Sequence, residues 1–255
     1  MNITTLGAHN CESQHTRLSS ILVDDRLMID AGAITASLSF ADQEKLAAVL
    51  LTHQHYDHIK DIPLLAFNRA MQWSAIDVYS TAVVYEALKL LFENQLYPNF
   101  LEFPDANPAL KFNTVEPYRT VEVAGYRVQP LPVNHSSLTC GFHVADVAGR
   151  NFFYTGDTGV GLENCWQHIS PELLITEVSA PDRFRELYER RGHFTPGLLR
   201  QEMENFRQLK GYLPQIVIVH MNPGLEDEIR RELETVARAL DHPITPASEG
   251  MRLKV

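Results

Sequence analysis

The segment His53-Gln54-His55-Tyr56-Asp57-His58 places three imidazoles and a carboxylate within six consecutive residues. Groups of this kind are costly to pack together unless something uses their lone pairs. Imidazole nitrogens and carboxylate oxygens are natural ligands for zinc and neighbouring first-row metals. In an extended chain His53, His55 and Asp57 share one side and His58 projects elsewhere, so this one loop can serve two adjacent metals. The bland alternative is a polar surface loop enriched in histidine by chance. Its position directly behind the apolar run Ala48-Val49-Leu50-Leu51 argues against that.

The surrounding elements must hold this loop. A run without polar alternation suggests a strand covered on both faces, as in a layered α/β domain. Residues 2–6, 18–23, 27–30, 48–51 and 76–79 read as strands in the first half, with helices from 40 to 48, 59–72 and 81–92. In the second half 111–115, 121–133, 140–147, 151–155, 173–176 and 216–219 read as strands, Gly149 marking a hairpin turn. Helices are expected at 196–209, opened by Thr195-Pro196, and at 225–240, after Pro223-Gly224. Strands with helices on both outer faces, echoed between the halves, predict a four-layer αββα sandwich. No close repeat or linker divides the chain, so residues 1–255 read as a single domain. One irregular insert, 93–118, carries Tyr97, Phe100 and Phe103 among prolines, in the manner of a lid or contact surface.

Composition narrows the partners. With 255 residues and 45% hydrophobic content, the chain can bury a large core. Lys and Arg total 22 against 32 Asp and Glu, a formal charge of −10, which disfavours a general polyanion binder. Cys11, Cys140 and Cys165 are an odd, scattered set that reads as free thiols in a reducing compartment, the latter two assigned to packing. The first residues lack the pattern of a secretory signal, and no segment approaches ~18 consecutive apolar residues. The expectation is a soluble, cytoplasmic protein without a membrane partner.

His-x-His-x-Asp-His behind an apolar strand resembles the signature of the metallo-β-lactamase superfamily. Asn134-His135-Ser136, Tyr154-Thr155-Gly156-Asp157-Thr158, His220 and Ala247-Ser248-Glu249-Gly250-Met251 follow in the same order, so the likeness spans nearly the whole chain. Alone, His135 or His220 reads more readily as a surface or core residue; their order and strand-end context reverse that. The resemblance implies an αββα sandwich with two divalent metal ions, zinc or else manganese. One would take His53, His55 and His135, the other Asp57, His58 and His220, with Asp157 bridging and a hydroxide between the ions.

The pair Thr176-Glu177-Val178-Ser179 and Gly192-His193-Phe194-Thr195-Pro196 resembles the phosphodiesterase branch, which includes ribonuclease Z-like tRNA 3′-processing enzymes and class II cyclic-nucleotide phosphodiesterases. That likeness implies His193 as general acid, Glu177 as the residue that orients it, and Asp57 as both ligand and part of the catalytic set. Proton donation to a poor alkoxide leaving group is worth ~10²–10⁴-fold. Leu6-Gly7-Ala8 through Ser19-Ser20 resembles that branch's opening glycine loop, though with fewer glycines; His9 and His15 read as supporting or surface residues. Ser136, Ser137 and Thr158 offer hydroxyls that either bind a phosphate oxygen or cap turns. No basic, glycine-rich arm for gripping tRNA is evident, and the insert is acidic. The resemblance therefore points to a small 3′,5′-cyclic nucleotide as substrate, such as the pyrimidine signals of antiviral defence, and to a homodimer. The alternatives are a tRNA 3′-processing endoribonuclease, a thioesterase of the same fold, or a binding protein with structural metals.

Overall fold

The computed structural model describes residues 1–94 and 96–255; Gln95, inside the predicted insert, lies outside the described residues. Among the described residues fourteen strands run in chain order. The first group is β1 (Asn2–Gly7), β2 (Ser20–Val23), β3 (Leu27–Ile29), β4 (Ala48–Leu50), β5 (Ile76–Ser80) and β6 (Leu110–Thr114). The second is β7 (Val121–Val123), β8 (Tyr126–Pro132), β9 (Cys140–Ala145), β10 (Asn151–Tyr154), β11 (Leu173–Glu177), β12 (Gln215–Val219), β13 (Ile244–Pro246) and β14 (Arg252–Lys254). Among the described residues nine α-helices join them: α1 (Ile34–Ser37), α2 (Phe40–Lys45), α3 (Tyr56–Ile59), α4 (Ile62–Met71), α5 (Ala82–Glu93), α6 (Glu163–His168), α7 (Arg185–Arg190), α8 (Pro196–Lys210) and α9 (Glu226–Leu240).

The strands form two seven-stranded sheets, ordered β14-β1-β2-β3-β4-β5-β6 and β13-β12-β11-β10-β9-β8-β7. Each mixes an antiparallel half with a parallel half, β3 to β6 in one and β10 to β13 in the other. Side-chain parity sorts the layers. Ala48 and Leu50 face the core between the sheets, with Ile175, Val217 and Val219 opposite, whereas Val49 and Leu51 turn outward onto Ile62, Leu65 and Leu88. Ile216 and Ile218 likewise face outward, onto Leu198, Phe206 and Leu233. Because both faces of the central strands are buried, they read as unbroken apolar runs. The expected four-layer αββα sandwich is the fold observed.

Local departures have local causes. The run 121–133 is a hairpin, because Ala124 at φ 52° and Gly125 at φ 85° turn the chain back between β7 and β8. The helix expected over 59–72 is α4, which begins at Ile62 after the separate turn α3, and the one expected from 40 ends at Lys45. The short helices α1, α6 and α7 and the closing strands β13 and β14 are additional, being too brief to show a period. Within 93–118, Phe100 is wholly buried and packs edge-on to Phe92, so this stretch caps the outer face of the first sheet and supplies β6. Among the described residues, none that lines the active-site cleft comes from it. No described helix is long and apolar enough to cross a membrane.

Candidate active site

In open α/β sheets, function gathers beyond the carboxyl ends of parallel strands. Four such ends converge here: β4 leads to His53 and His55, β10 to Asp157, β11 to Glu177, and β12 to His220. His55 is the N-cap of α3, so Asp57 and His58 lie on a helical turn rather than in an extended chain. The parity expected for Asp57 is thus corrected: the helical turn, not alternation, separates it from His53 and His55. Gly156 (φ 61°) brings the β10 loop against the β4 loop, where a Cβ would stand 2.8 Å from Thr52 Cβ. Asp157 thereby reaches His53 and His58.

Two clusters result, each with ligand-type atoms within 4.8 Å of one another: His53, His55, His135 and Asp157, and Asp57, His58, His220 and Asp157. Asp157 divides its oxygens between them. Oδ2 lies 3.7 Å from both His53 Nε2 and His135 Nε2, and Oδ1 lies 3.2 Å from His58 Nε2 and 3.3 Å from His220 Nε2. Ligands ~2.0–2.1 Å from a tetrahedral ion stand about 3.3–3.4 Å apart, so these spacings suit cations at both clusters. The buried atoms left without a hydrogen-bond partner among the described residues include His53 Nε2, His58 Nε2 and Asp157 Oδ1. Such atoms are costly unless satisfied, and they are the donor set a divalent metal requires.

The far side of four of the rings is occupied, which fixes their direction. Nδ1 of His53 contacts Thr52 Oγ1 at 3.0 Å, Nδ1 of His58 meets Asp30 Oδ2 at 2.7 Å, Nδ1 of His135 meets Gly192 O at 3.0 Å, and Nδ1 of His220 meets Ser179 Oγ at 2.8 Å. Asp30 also accepts from Thr52 N, Thr52 Oγ1 and Tyr154 OH, and it is wholly buried. Burial, joined by the charge of neighbouring imidazoles, holds His53 and His55 below the usual imidazole range, and burial does the same for His135. Their lone pairs are free for a metal. Burial also opposes charge on His58, but Asp157, Asp30 and Asp57 outweigh it and push that ring well up.

Sequence reading missed Asp30 and gave Ser179 no role of its own. Asp30 directly follows β3 with φ 59°, an uncommon backbone state outside glycine that often marks a functional site. Its only trace in the sequence is an aspartate closing an apolar strand.

His193 lies beside the clusters, its ring 4.6 Å from that of His135 and stacked at 5.8 Å on that of His220. Its Nδ1 is 2.6 Å from Glu177 Oε1. Glu177 is fully buried and also accepts from Thr158 N at 3.0 Å and Ser179 Oγ at 2.5 Å. Burial opposes a charge on His193, but the Glu177 carboxylate more than offsets it and pushes the imidazole up to about 9. Glu177 is therefore committed to hydrogen bonds, and His193 is held ready to donate a proton.

The predicted hydroxyls behave differently. Thr158 is wholly buried; its Oγ1 donates to Gly159 O and accepts from Asn134 N, so it holds loops together and its substrate role is withdrawn. Ser136 Oγ contacts Thr139 Oγ1 at 3.0 Å, the turn-capping alternative, while Ser137 is exposed. Cys140 and Cys165 are buried and Cys11 is exposed. His15 is exposed, whereas His9 is buried between Glu249 and Glu226.

The beta-lactamase superfamily domain matches residues 25–221, and the chain belongs to that superfamily. It is similar to an octanoyltransferase of Porphyromonas gingivalis, 26% identical over 239 residues, covering 86% of this chain and 43% of that protein. The chain spans less than half the length of the curated relatives it matches. Unliganded yeast PDE1 matches with a TM-score of 0.85 at 15% identity, covering 100% of this chain and 99% of that one. The short form of human tRNase Z matches with a TM-score of 0.70 at 18% identity, covering 100% and 99%. At such identities the likeness shows the fold, the metallo-β-lactamase sandwich. Fold, family and His/Asp clusters together define a member of this superfamily with a site that could bind metal.

Proposed function

We propose that the protein is a dinuclear metal-dependent phosphodiesterase that hydrolyses a 3′,5′-cyclic nucleotide. The observation that carries this reading is the Glu177–His193 pair, 2.6 Å apart and set against both His/Asp clusters. A proton donor so placed answers the need of a poor alkoxide leaving group, whereas a thioester, whose thiolate leaves readily, would give the pair no task.

His53, His55 and His135 would hold one cation and Asp57, His58 and His220 the other, with Asp157 shared. Bound there, zinc or manganese ions supply Lewis acidity and lower the pKa of a water. The remaining steps fall to the chain. The water, having lost one proton to solvent, forms a new bond from its oxygen to phosphorus, the bond from phosphorus to the ribose 3′ oxygen breaks, and His193 Nε2 gives its proton to that departing oxygen and regains one from solvent. Glu177, through Nδ1, fixes the ring and holds its charge before transfer. Thr52, Asp30, Ser179 and the Gly192 carbonyl orient the surrounding imidazoles.

A small substrate is favoured by a cleft of about 290 Å³ and by the net charge of −10. RNA 3′-end processing is the second reading, favoured by the likeness to human tRNase Z. It requires tRNA precursors to be cut, with binding that weakens steeply as salt rises. The octanoyltransferase name belongs to a protein that lies more than half outside the match. The decisive test is turnover of purine and pyrimidine cyclic nucleotides by metal-loaded protein, with His193→Ala alongside. Ring opening lost in the variant at unchanged metal content supports the reading; cleavage of tRNA precursor alone overturns it.

A further inference from the structure

Beyond the two clusters, the cleft is lined by Tyr188 and Arg191, from the end of α7 and the turn that follows it. Arg191 is the lone lysine or arginine among the lining residues. It is exposed, and its side chain makes no ion pair or hydrogen bond among the described residues. Its neighbours are engaged: Arg183 with Glu228 at 3.0 Å, Arg185 with Gln201 at 3.1 Å and Arg190 with Glu186 at 3.4 Å. An unpaired guanidinium at a concave mouth keeps its planar fork of donors free for a ligand. The Tyr188 ring, half-buried, has its centroid 5.9 Å from that of His193, and its hydroxyl has no described partner.

The same turn is firmly built. His193 N and Arg191 N both donate to Tyr188 O at 3.0 Å, and Gly192 O takes the His135 ring. The backbone of Tyr188 and Arg191 is therefore held in fixed register with that of the proton donor. A planar ring and a forked cationic donor at one mouth match the two faces of a nucleobase, stacking and edge. The reacting phosphate belongs beside His193 and the clusters, which leaves the guanidinium to address the other end of the molecule.

We infer that Tyr188 and Arg191 form the base-recognition edge, Tyr188 stacking on the base and Arg191 donating two parallel hydrogen bonds to it. This rests on the cyclic-nucleotide reading and adds a specificity. A fork of donors fits guanine, whose O6 and N7 are adjacent acceptors, and opposes adenine, whose N6 amino group is itself a donor.

The test is kcat/KM for 3′,5′-cyclic GMP and cyclic AMP with metal-loaded wild type, Arg191→Ala, Arg191→Lys, Tyr188→Phe and Tyr188→Leu, metal content and circular dichroism being checked for each. The wild type should prefer guanine by roughly 5- to 150-fold. Arg191→Ala and Arg191→Lys should both bring the ratio near one through a higher KM for cyclic GMP, since lysine keeps the charge but loses the fork. Tyr188→Leu should raise KM for both nucleotides and Tyr188→Phe should not. A wild-type preference for adenine, or a ratio unchanged in both arginine variants, overturns the inference while leaving the functional reading intact. Wild type that opens no cyclic nucleotide but cleaves another diester overturns the functional reading, and this one with it.

Discussion

Asp30 Oδ2 stands 2.7 Å from His58 Nδ1, and both side chains are wholly buried. With three further donors from Thr52 and Tyr154, the carboxylate ties β3, the β4 loop and β10 to one imidazole. Outer partners of this kind are worth 10–100-fold in metal affinity. Asp30→Asn should therefore weaken metal binding by about that factor, with a smaller loss of activity at saturating metal. Titration with zinc against a competing chelator measures it; unchanged affinity would confine Asp30 to packing.

Asp30 also shows what the sequence could not reveal. The His-x-His-x-Asp-His cluster was legible because its spacing is short and behind a buried strand. The gathering of His135, Asp157 and His220 was legible only through the resemblance to the superfamily, whose order of strand-end residues they follow, and the alternation of buried strands pointed to the layers. Asp30 is joined to His58 across 28 residues with no local period to betray it. The turn Tyr56–Ile59 escaped notice for a related reason: four residues are too few to distinguish a helical from an extended repeat. Thr158 looked available because sequence does not show that a hydroxyl is already engaged.

Glu177 raises His193 to about 9, so the donor form should persist to mildly alkaline pH and kcat/KM should fall as pH rises through the His193 pKa. Glu177→Gln removes the negative charge while burial continues to oppose the imidazolium. The alkaline limb should move to lower pH, and at neutral pH kcat should drop by ~10²-fold or more, as for loss of a general acid. His193→Ala should abolish the limb. A Glu177→Gln profile that superimposes on wild type would separate the two residues functionally.

Gly192 occupies φ 69° and packs backbone against backbone on the His135 loop; an added Cβ would stand 2.7 Å from both Asn134 O and His135 Cα. The left-handed conformation alone costs a non-glycine residue about 1–2 kcal/mol, and these neighbours are main chain that cannot yield. Gly192→Ala should lower thermal stability and, by moving the carbonyl that orients His135, reduce metal occupancy of the first cluster before the second. Alanine at exposed Gly149, which has nothing within 4 Å of such a Cβ but a similar φ of 85°, supplies the comparison for strain without contact. Equal effects at both positions would show that strain alone accounts for the loss.

His9 is 3% exposed and lies between two carboxylates, Nδ1 2.6 Å from Glu249 and Nε2 3.0 Å from Glu226. It joins the loop after β1, whose Asn10 and Cys11 line the cleft, to the start of α9 and the turn before β14. Burial lowers its affinity for a proton, but the two carboxylates prevail and raise the pKa above 6.5; on the carboxylates burial is likewise outweighed, by hydrogen bonds from Arg230 and His9 to Glu226 and from His9 and the Arg17 amide to Glu249, and both are lowered from 4.5. The raised histidine contributes stability that is complete below pH 6.5 and is lost as pH rises through its folded value. The lowered glutamates contribute stability that is complete above pH 4.5 and is lost as pH falls through theirs. The arrangement is thus most stabilising between about pH 4.5 and 6.5. His9→Gln removes two charge-assisted hydrogen bonds, each worth about 1.5–3 kcal/mol, and 1 kcal/mol moves the midpoint of a domain this size by about 2–4 °C. The gap in Tm between wild type and variant should be several degrees near pH 5.5 and should shrink steadily above neutrality. A gap that widens toward alkaline pH would mean that His9 is neutral in the folded protein and acts through packing alone.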